Sequence, residues 1–302
     1  MLLQVSLIVI SFIIIVLLAP VLDGIERKIK AKLHSRVGPP TIFQSWYDIL
    51  KLFSKELVLP EGGYIAPILV GLLYTLVLVT LILMPYGFPN PLTLGLPDII
   101  LLLVLIIALQ LLWSTSALAS GNPYATVGVF REAGLGLVNE FFLALGLIFL
   151  TLVTGSQEFA GLTRMTTPRL AYALILLSLA IACYVASGRI PYDIGEAEPE
   201  LASGVLIEFS GPILGLALHA HYLKRAILYG LVANLIVLPL YPVLGPVFSV
   251  IAFLAAMIVL WIIFAIISIV LARSRIDLAP RGLLKIYLPL AIAYSILGYI
   301  GV

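Results

Sequence analysis

Seven carboxylates and two histidines stand where ionisable groups are costly. The stretch PYDIGEAEPELASGVLIEFSG (191–211) holds Asp193, Glu196, Glu198, Glu200 and Glu208 between two apolar runs, with Arg189 close by. The residues between these acids are small or apolar, and the stretch contains no Lys, Gln or Asn. A solvated charged loop is one reading. The other is a proton relay: carboxylates crowded in a low-dielectric place repel each other, so some keep a proton near neutral pH and can both take and release it. Glu140 lies about two turns inside another apolar run, where an ionisable group reads as functional by default. Glu132 stands at the mouth of that run beside Arg131, and reads equally as a structural partner of that arginine. His219 and His221 lie in a third run. Unperturbed imidazole titrates near neutral pH, so His221 is a candidate relay member; a packed, hydrogen-bonded histidine is the alternative. Two residues apart, the pair does not share a helix face and makes a poor metal site.

Other chemistries lack their residues. The single Cys183 excludes a disulfide framework and a cysteine-ligated zinc or iron–sulfur site within this chain, and its place mid-run reads as a small packed core residue. Neither an HExxH nor a GxxxxGK motif occurs. No cofactor is expected in this chain.

The elements that must position the acids follow from composition. Of 302 residues, 62% are hydrophobic and 11% charged, against about 45–50% and about 25% in soluble domains. That surplus excludes a soluble enzyme and a disordered protein. A net charge of +2 supplies no field for nucleic acid. The fold class is an all-α polytopic membrane protein, one membrane domain over 1–302. A span takes about 20 apolar residues, and runs near 2–22, 65–85, 98–118, 134–154, 170–188, 206–240, 247–271 and 284–301 give about eight. The first run has no basic segment before it and no cleavage site after it, so it reads as a membrane helix and not a removed signal. Residues 206–240, interrupted by Lys224 and Arg225, read as one long helix or two short ones.

Charge arbitrates. With eight spans, Arg27, Lys28, Lys30, Lys32, Arg36, Lys51, Lys55, Arg131, Arg189, Arg273, Arg275, Arg281 and Lys285 fall on one side, against Arg164 and Arg169 on the other. The positive-inside rule then favours one long sixth helix and both termini outside. The acids of 191–208 fall inside, as does the long first loop. Within that loop TIFQSWYDILKLFSKEL (41–57) places Ile42, Trp46, Ile49, Leu50, Phe53 and Leu57 on one helical face. It reads as an amphipathic helix on the inner membrane surface or against a partner.

These inner motifs resemble one family, the NADH dehydrogenase subunit 1 family of respiratory complex I and its hydrogenase relatives, over nearly the whole chain. The resemblance rests on QSWYDILKLFSKE (44–56) preceded by ERK and RVGP, on PYDIGEAEPELASG (191–204), on IEFSG and on RSRID (273–277). Phe130-Arg131-Glu132 and His221-Tyr222 are similar to the membrane-bound hydrogenase, formate hydrogenlyase and sulfane-sulfur reductase branch, and depart from complex I members at a quinone site. Four Asn, four Gln and one Cys fit a hyperthermophile, and an archaeal member.

The resemblance implies a multi-pass anchor and coupling subunit in the cell membrane, without a catalytic centre of its own. It would dock a soluble, ferredoxin-fed redox arm: an iron–sulfur small subunit and a nickel–iron type large subunit, with clusters and any nickel–iron centre held there. Glu26, Arg27, Lys28, Arg36, Asp48, Lys51, Arg131, Arg273, Arg275 and Asp277 would be docking or charge partners. Redox turnover would shift the 193–208 acids, and charge would pass through Glu140 to antiporter-like and small membrane subunits. A quinone-site subunit of a complex I-like dehydrogenase and a purely structural anchor are the alternatives; lipid is the remaining partner.

Overall fold

The computed structural model describes residues 2–60, 63–93, 96–164, 170–195 and 201–300, and no strand occurs among them. The helices are α1 (Leu2–Leu33), α2 (Gln44–Phe53), α3 (Ile65–Leu83), α4 (Asp98–Leu118), α5 (Pro123–Thr154), α6 (Leu170–Ala186), α7 (Gly211–Val237), α8 (Tyr241–Val270) and α9 (Leu278–Ile300). Six helical stretches of the described residues are long and apolar enough to cross a membrane. One of them, Gly211–Val270, is α7 and α8 joined by the 3-10 turn Leu238–Leu240, and α6 is a shorter apolar helix. About eight crossing helices result, as the apolar runs imply.

Several element ends differ from the sequence expectation. The first helix does not stop near residue 22 but continues to Leu33. Glu26, Arg27, Lys28, Lys30, Ala31 and Lys32 all favour helix, and Lys30 and Lys32 suit the negative end of its dipole. At 1.5 Å per residue its 32 residues are about 48 Å long, against about 30 Å of hydrocarbon. Its charged end therefore stands clear of the bilayer core. The fourth spanning helix, α5, begins at Pro123 and not at 134, because Asn122 caps it and Pro123 fits its first turn. Glu132 thus lies inside a helix and not at its mouth. Residues 206–240 form one helix, but only from Gly211 to Val237; Gly204–Leu206 and Leu238–Leu240 are 3-10 turns. Helix α8 starts at Tyr241, ahead of 247, and bends at Gly245 (φ 70°) before Pro246. Helix α9 starts at Leu278, ahead of 284, through the helix-favouring Ala279 and Arg281. The amphipathic helix is Gln44–Phe53, shorter than 41–57; the Ser54 hydroxyl bonds the Lys51 carbonyl at 2.8 Å as the chain leaves the helix.

Helix α7 is the hub. It packs against α1, α2, α3, α6 and α8, and most of its residues are buried. A helix covered on nearly every side must be apolar or must pair its polar groups. Helix α7 is mostly apolar, and of the polar residues that interrupt it His219, Lys224 and Arg225 are paired. Around the hub, exposed side chains such as Leu72, Leu111, Leu137, Ile148 and Ile292 form an apolar exterior.

Candidate functional site

A cavity of about 50 Å³ lies between α4, α5, α7 and the loop after α6. Gln110, Glu132, Glu140, Asp193, His221 and Lys224 supply its polar wall, with Ile106, Leu135 and Leu143 among the apolar residues. At roughly 10–15 Å³ per water it has room for a few waters. Gln110 is the bridge: its carbonyl accepts from the Lys224 ammonium, and its amide donates to Glu132 Oε1 at 2.8 Å. Glu132 Oε2 and His221 Nε2 are buried and have no hydrogen-bond partner among the described residues. Trp113 packs on the His221 ring, with centroids 5.5 Å apart. Asn139 also lines the cavity; it donates to the Ala182 carbonyl at 3.1 Å and accepts from the Tyr287 hydroxyl at 2.7 Å.

One rim of the cavity is the segment 188–195. Gly195 lies so close to α5 that a Cβ there would sit 3.1 Å from Glu132 Oε2. Asp193 pairs with Arg273 at 2.8 Å, and Ser274 bonds the Pro191 carbonyl through both its hydroxyl and its amide. Burial pushes the Tyr192 phenol above its ordinary range, so it is protonated at neutral pH.

A second polar layer ties α1, α2 and α7 together. Asp23 is 5% exposed; it accepts from Ser45 at 2.7 Å and pairs with Arg27 at 2.9 Å and Arg225 at 3.5 Å. Arg27 reaches onward to Asp48 and to the Tyr222 hydroxyl, each at 3.0 Å. Gln44 holds the other Asp48 oxygen, also at 3.0 Å. Beside this layer the buried Arg189 pairs with Glu26, and Trp261 donates to the same carboxylate oxygen at 3.1 Å. The Arg189 guanidinium also lies over Tyr229 and Trp261, 5.3 and 5.5 Å from the ring centres.

The structure brings four of the candidate relay groups to one cavity: Glu132, Glu140, Asp193 and His221. Glu208 is elsewhere. It accepts from Asn122, the residue that caps α5, about 15 Å along the helix from Glu132. A carboxylate is favoured there by the helix dipole. Glu196, Glu198 and Glu200 lie outside the described residues. Glu132 turns to Gln110, while its neighbour Arg131 borders a surface groove with Arg273, Arg275 and Asp277. His219 is the packed histidine, bonded to Tyr74 at 3.1 Å and to the Val16 carbonyl at 3.3 Å.

Among the docking or charge partners, Glu26 is a charge partner. It is mostly buried in its pair with Arg189, a partner distant in sequence, and does not form a free outer contact. Arg27 and Asp48 pair with each other and remain partly exposed. Lys28 reaches the Pro40 carbonyl at 3.4 Å, and Arg36 and Lys51 are exposed. Arg275 and Asp277 form an exposed local pair at 3.2 Å. The sequence alone does not single out Asp23 and Gln110, nor the pairings of Arg189 and Tyr222 and the inward roles of Lys224 and Arg225. Their signal was present: each is a polar residue in or beside an apolar run.

Fold and site together define a polytopic helical membrane protein with a cluster of ionisable groups enclosed between its helices. The model of the NADH dehydrogenase family matches residues 5–299, and the chain belongs to that family. It is 34% identical to hydrogenase-4 component C of Escherichia coli (strain K12), over 72% of this chain and 71% of that one. It is 30% identical to formate hydrogenlyase subunit 4 of the same strain, over 87% and 89%. A chain in the structure of the membrane-bound sulfane sulfur reductase, an archaeal respiratory membrane complex, superposes with a TM-score of 0.83. That match is 24% identical and covers 98% of this chain and 99% of the other.

Proposed function

We propose that this chain is the membrane anchor and coupling subunit of an energy-converting respiratory complex of the hydrogenase or sulfane-sulfur reductase type, fed by ferredoxin. The soluble arm, with its iron–sulfur small subunit and nickel–iron type large subunit, docks on the inner face formed by α2, the charged end of α1 and the segments 189–210 and 273–285. Both termini lie outside the cell membrane. The chain carries no redox group; electrons move in the arm and ions move through the membrane part.

The observation that carries this reading is the cavity in which Glu132, Glu140, Asp193 and His221 converge. Its mouth is the loop beside the proposed docking surface, so redox turnover there can move Asp193 or its pairing with Arg273. Glu132 Oε2 and His221 Nε2 need partners that a few waters supply, and such waters would join the acids into a path. Glu140 lies about 12 Å further along α5 than Glu132 and leads toward antiporter-like neighbours.

The test is Glu140→Gln and Glu196→Gln in the intact complex, with redox turnover and ion translocation measured in membrane vesicles. Translocation lost while the subunits still copurify supports the relay. Normal turnover and pumping in both variants overturns it. Loss of assembly with the carboxamides points to acids that serve only as docking contacts.

A further inference from the structure

Lys224 has no task in a relay built from acids, yet it sits in the same cavity. It is 7% exposed and lies at the middle of α7. Its ammonium donates to Gln110 Oε1, and the other end of that amide donates to Glu132 Oε1 at 2.8 Å. An amide has one acceptor end and one donor end, so the ammonium decides which way Gln110 points and hence what Glu132 receives.

We infer that Lys224 is the cavity's built-in cation: it stands where an alkali cation would sit, orients Gln110 onto Glu132, and so restricts the site to protons. This rests on the relay reading of the same cavity. Three observations carry it. A hard metal cation gathers several oxygens, and here the Gln110 amide oxygen is already held by the ammonium. A second cation beside a buried ammonium is repelled strongly at low dielectric. Asp193 is held by Arg273 and the Asn139 amide is bonded at both ends, which leaves Glu132 Oε2, Glu140 and His221 Nε2 facing the space, and an imidazole nitrogen is a poor ligand for a hard cation. A proton needs no ligand shell. It adds to a carboxylate oxygen as an O–H, lowers the negative charge of the cavity by one, and leaves by the reverse step.

The test reads occupancy and not turnover. Dicyclohexylcarbodiimide attacks protonated carboxyl groups in apolar places, and mass spectrometry of the purified intact complex reports label on Glu132 and Glu140. With sodium chloride exchanged for choline chloride at equal ionic strength, label on the wild-type complex should not change. Several-fold protection by sodium overturns the inference and leaves the relay standing. In Lys224→Gln, label at neutral pH should rise several-fold, because the cavity loses the cation that balances its carboxylates; Lys224→Arg should keep the wild-type level. Unchanged label in an assembled Lys224→Gln complex also overturns it. If translocation persists in Glu140→Gln and Glu196→Gln while the labelling behaves as stated, the relay reading has failed and the built-in cation has not.

Discussion

Arg189 illustrates how the fold accommodates a buried charge. Glu26 neutralises it, and the faces of Tyr229 and Trp261 replace water around its flat guanidinium. Removing one partner of such a pair costs about 3–5 kcal/mol, because the other charge is left buried and alone. Arg189→Met should therefore lower the thermal stability of the purified complex sharply, and adding Glu26→Gln should recover part of the loss; equal melting of single variant and wild type would refute this. The same residues mark the limit of sequence reading. Glu140 and Asp193 were legible because a carboxylate in or beside an apolar run has a known cost. Gln110 was not, because one neutral amide does not interrupt a 21-residue apolar helix. For Glu26 the sequence does not name the partner charge, because Arg189 is 163 positions away and no local spacing links the two.

Element ends carry the next lesson. Residues 23–33 looked like loop because they are charged, but charge and helicity are compatible once a helix leaves the bilayer core. That extension places Asp23 and Arg27 on the same helix as the first span, facing α2 and α7. Gly24 makes the approach possible: a Cβ there would lie 1.9 Å from the Ile42 carbonyl oxygen. Gly24→Ala must lift the segment before α2 away from α1. Limited proteolysis should then cut between residues 34 and 43 faster than in wild type, and the soluble arm should copurify in lower yield. An unchanged cleavage pattern would mean that α2 docks without this contact. The start of α5 was readable after the fact, since Asn-Pro is a cap followed by a first-turn residue. The apolar run that drew attention to this helix begins well after its cap.

For the molecule as a whole, membrane class and approximate span count were set by the apolar runs, and the basic residues predict the orientation. What stayed hidden was which charges face each other, because pairs such as Arg273–Asp193 and Arg225–Asp23 depend on how the helices surround α7. Orientation has a direct check. An impermeant maleimide should label Lys32→Cys only in inverted vesicles and Leu92→Cys only in right-side-out ones, with the buried Cys183 silent; the opposite pattern would reverse the topology. The central position of α7 bears on biogenesis as well. Lys224 and Arg225 sit at the middle of α7, which packs against α1, α2, α3, α6 and α8. A basic residue costs about 2.5–3.5 kcal/mol at the centre of a span on transfer from the translocon to lipid, and less toward its boundary. Helix α7 is therefore the span least able to partition alone, and it must enter the bilayer in company with α1, which brings Asp23, and α4, which brings Gln110. The groups that set the chemistry of the finished protein thus also set the order in which its helices can be released into the membrane.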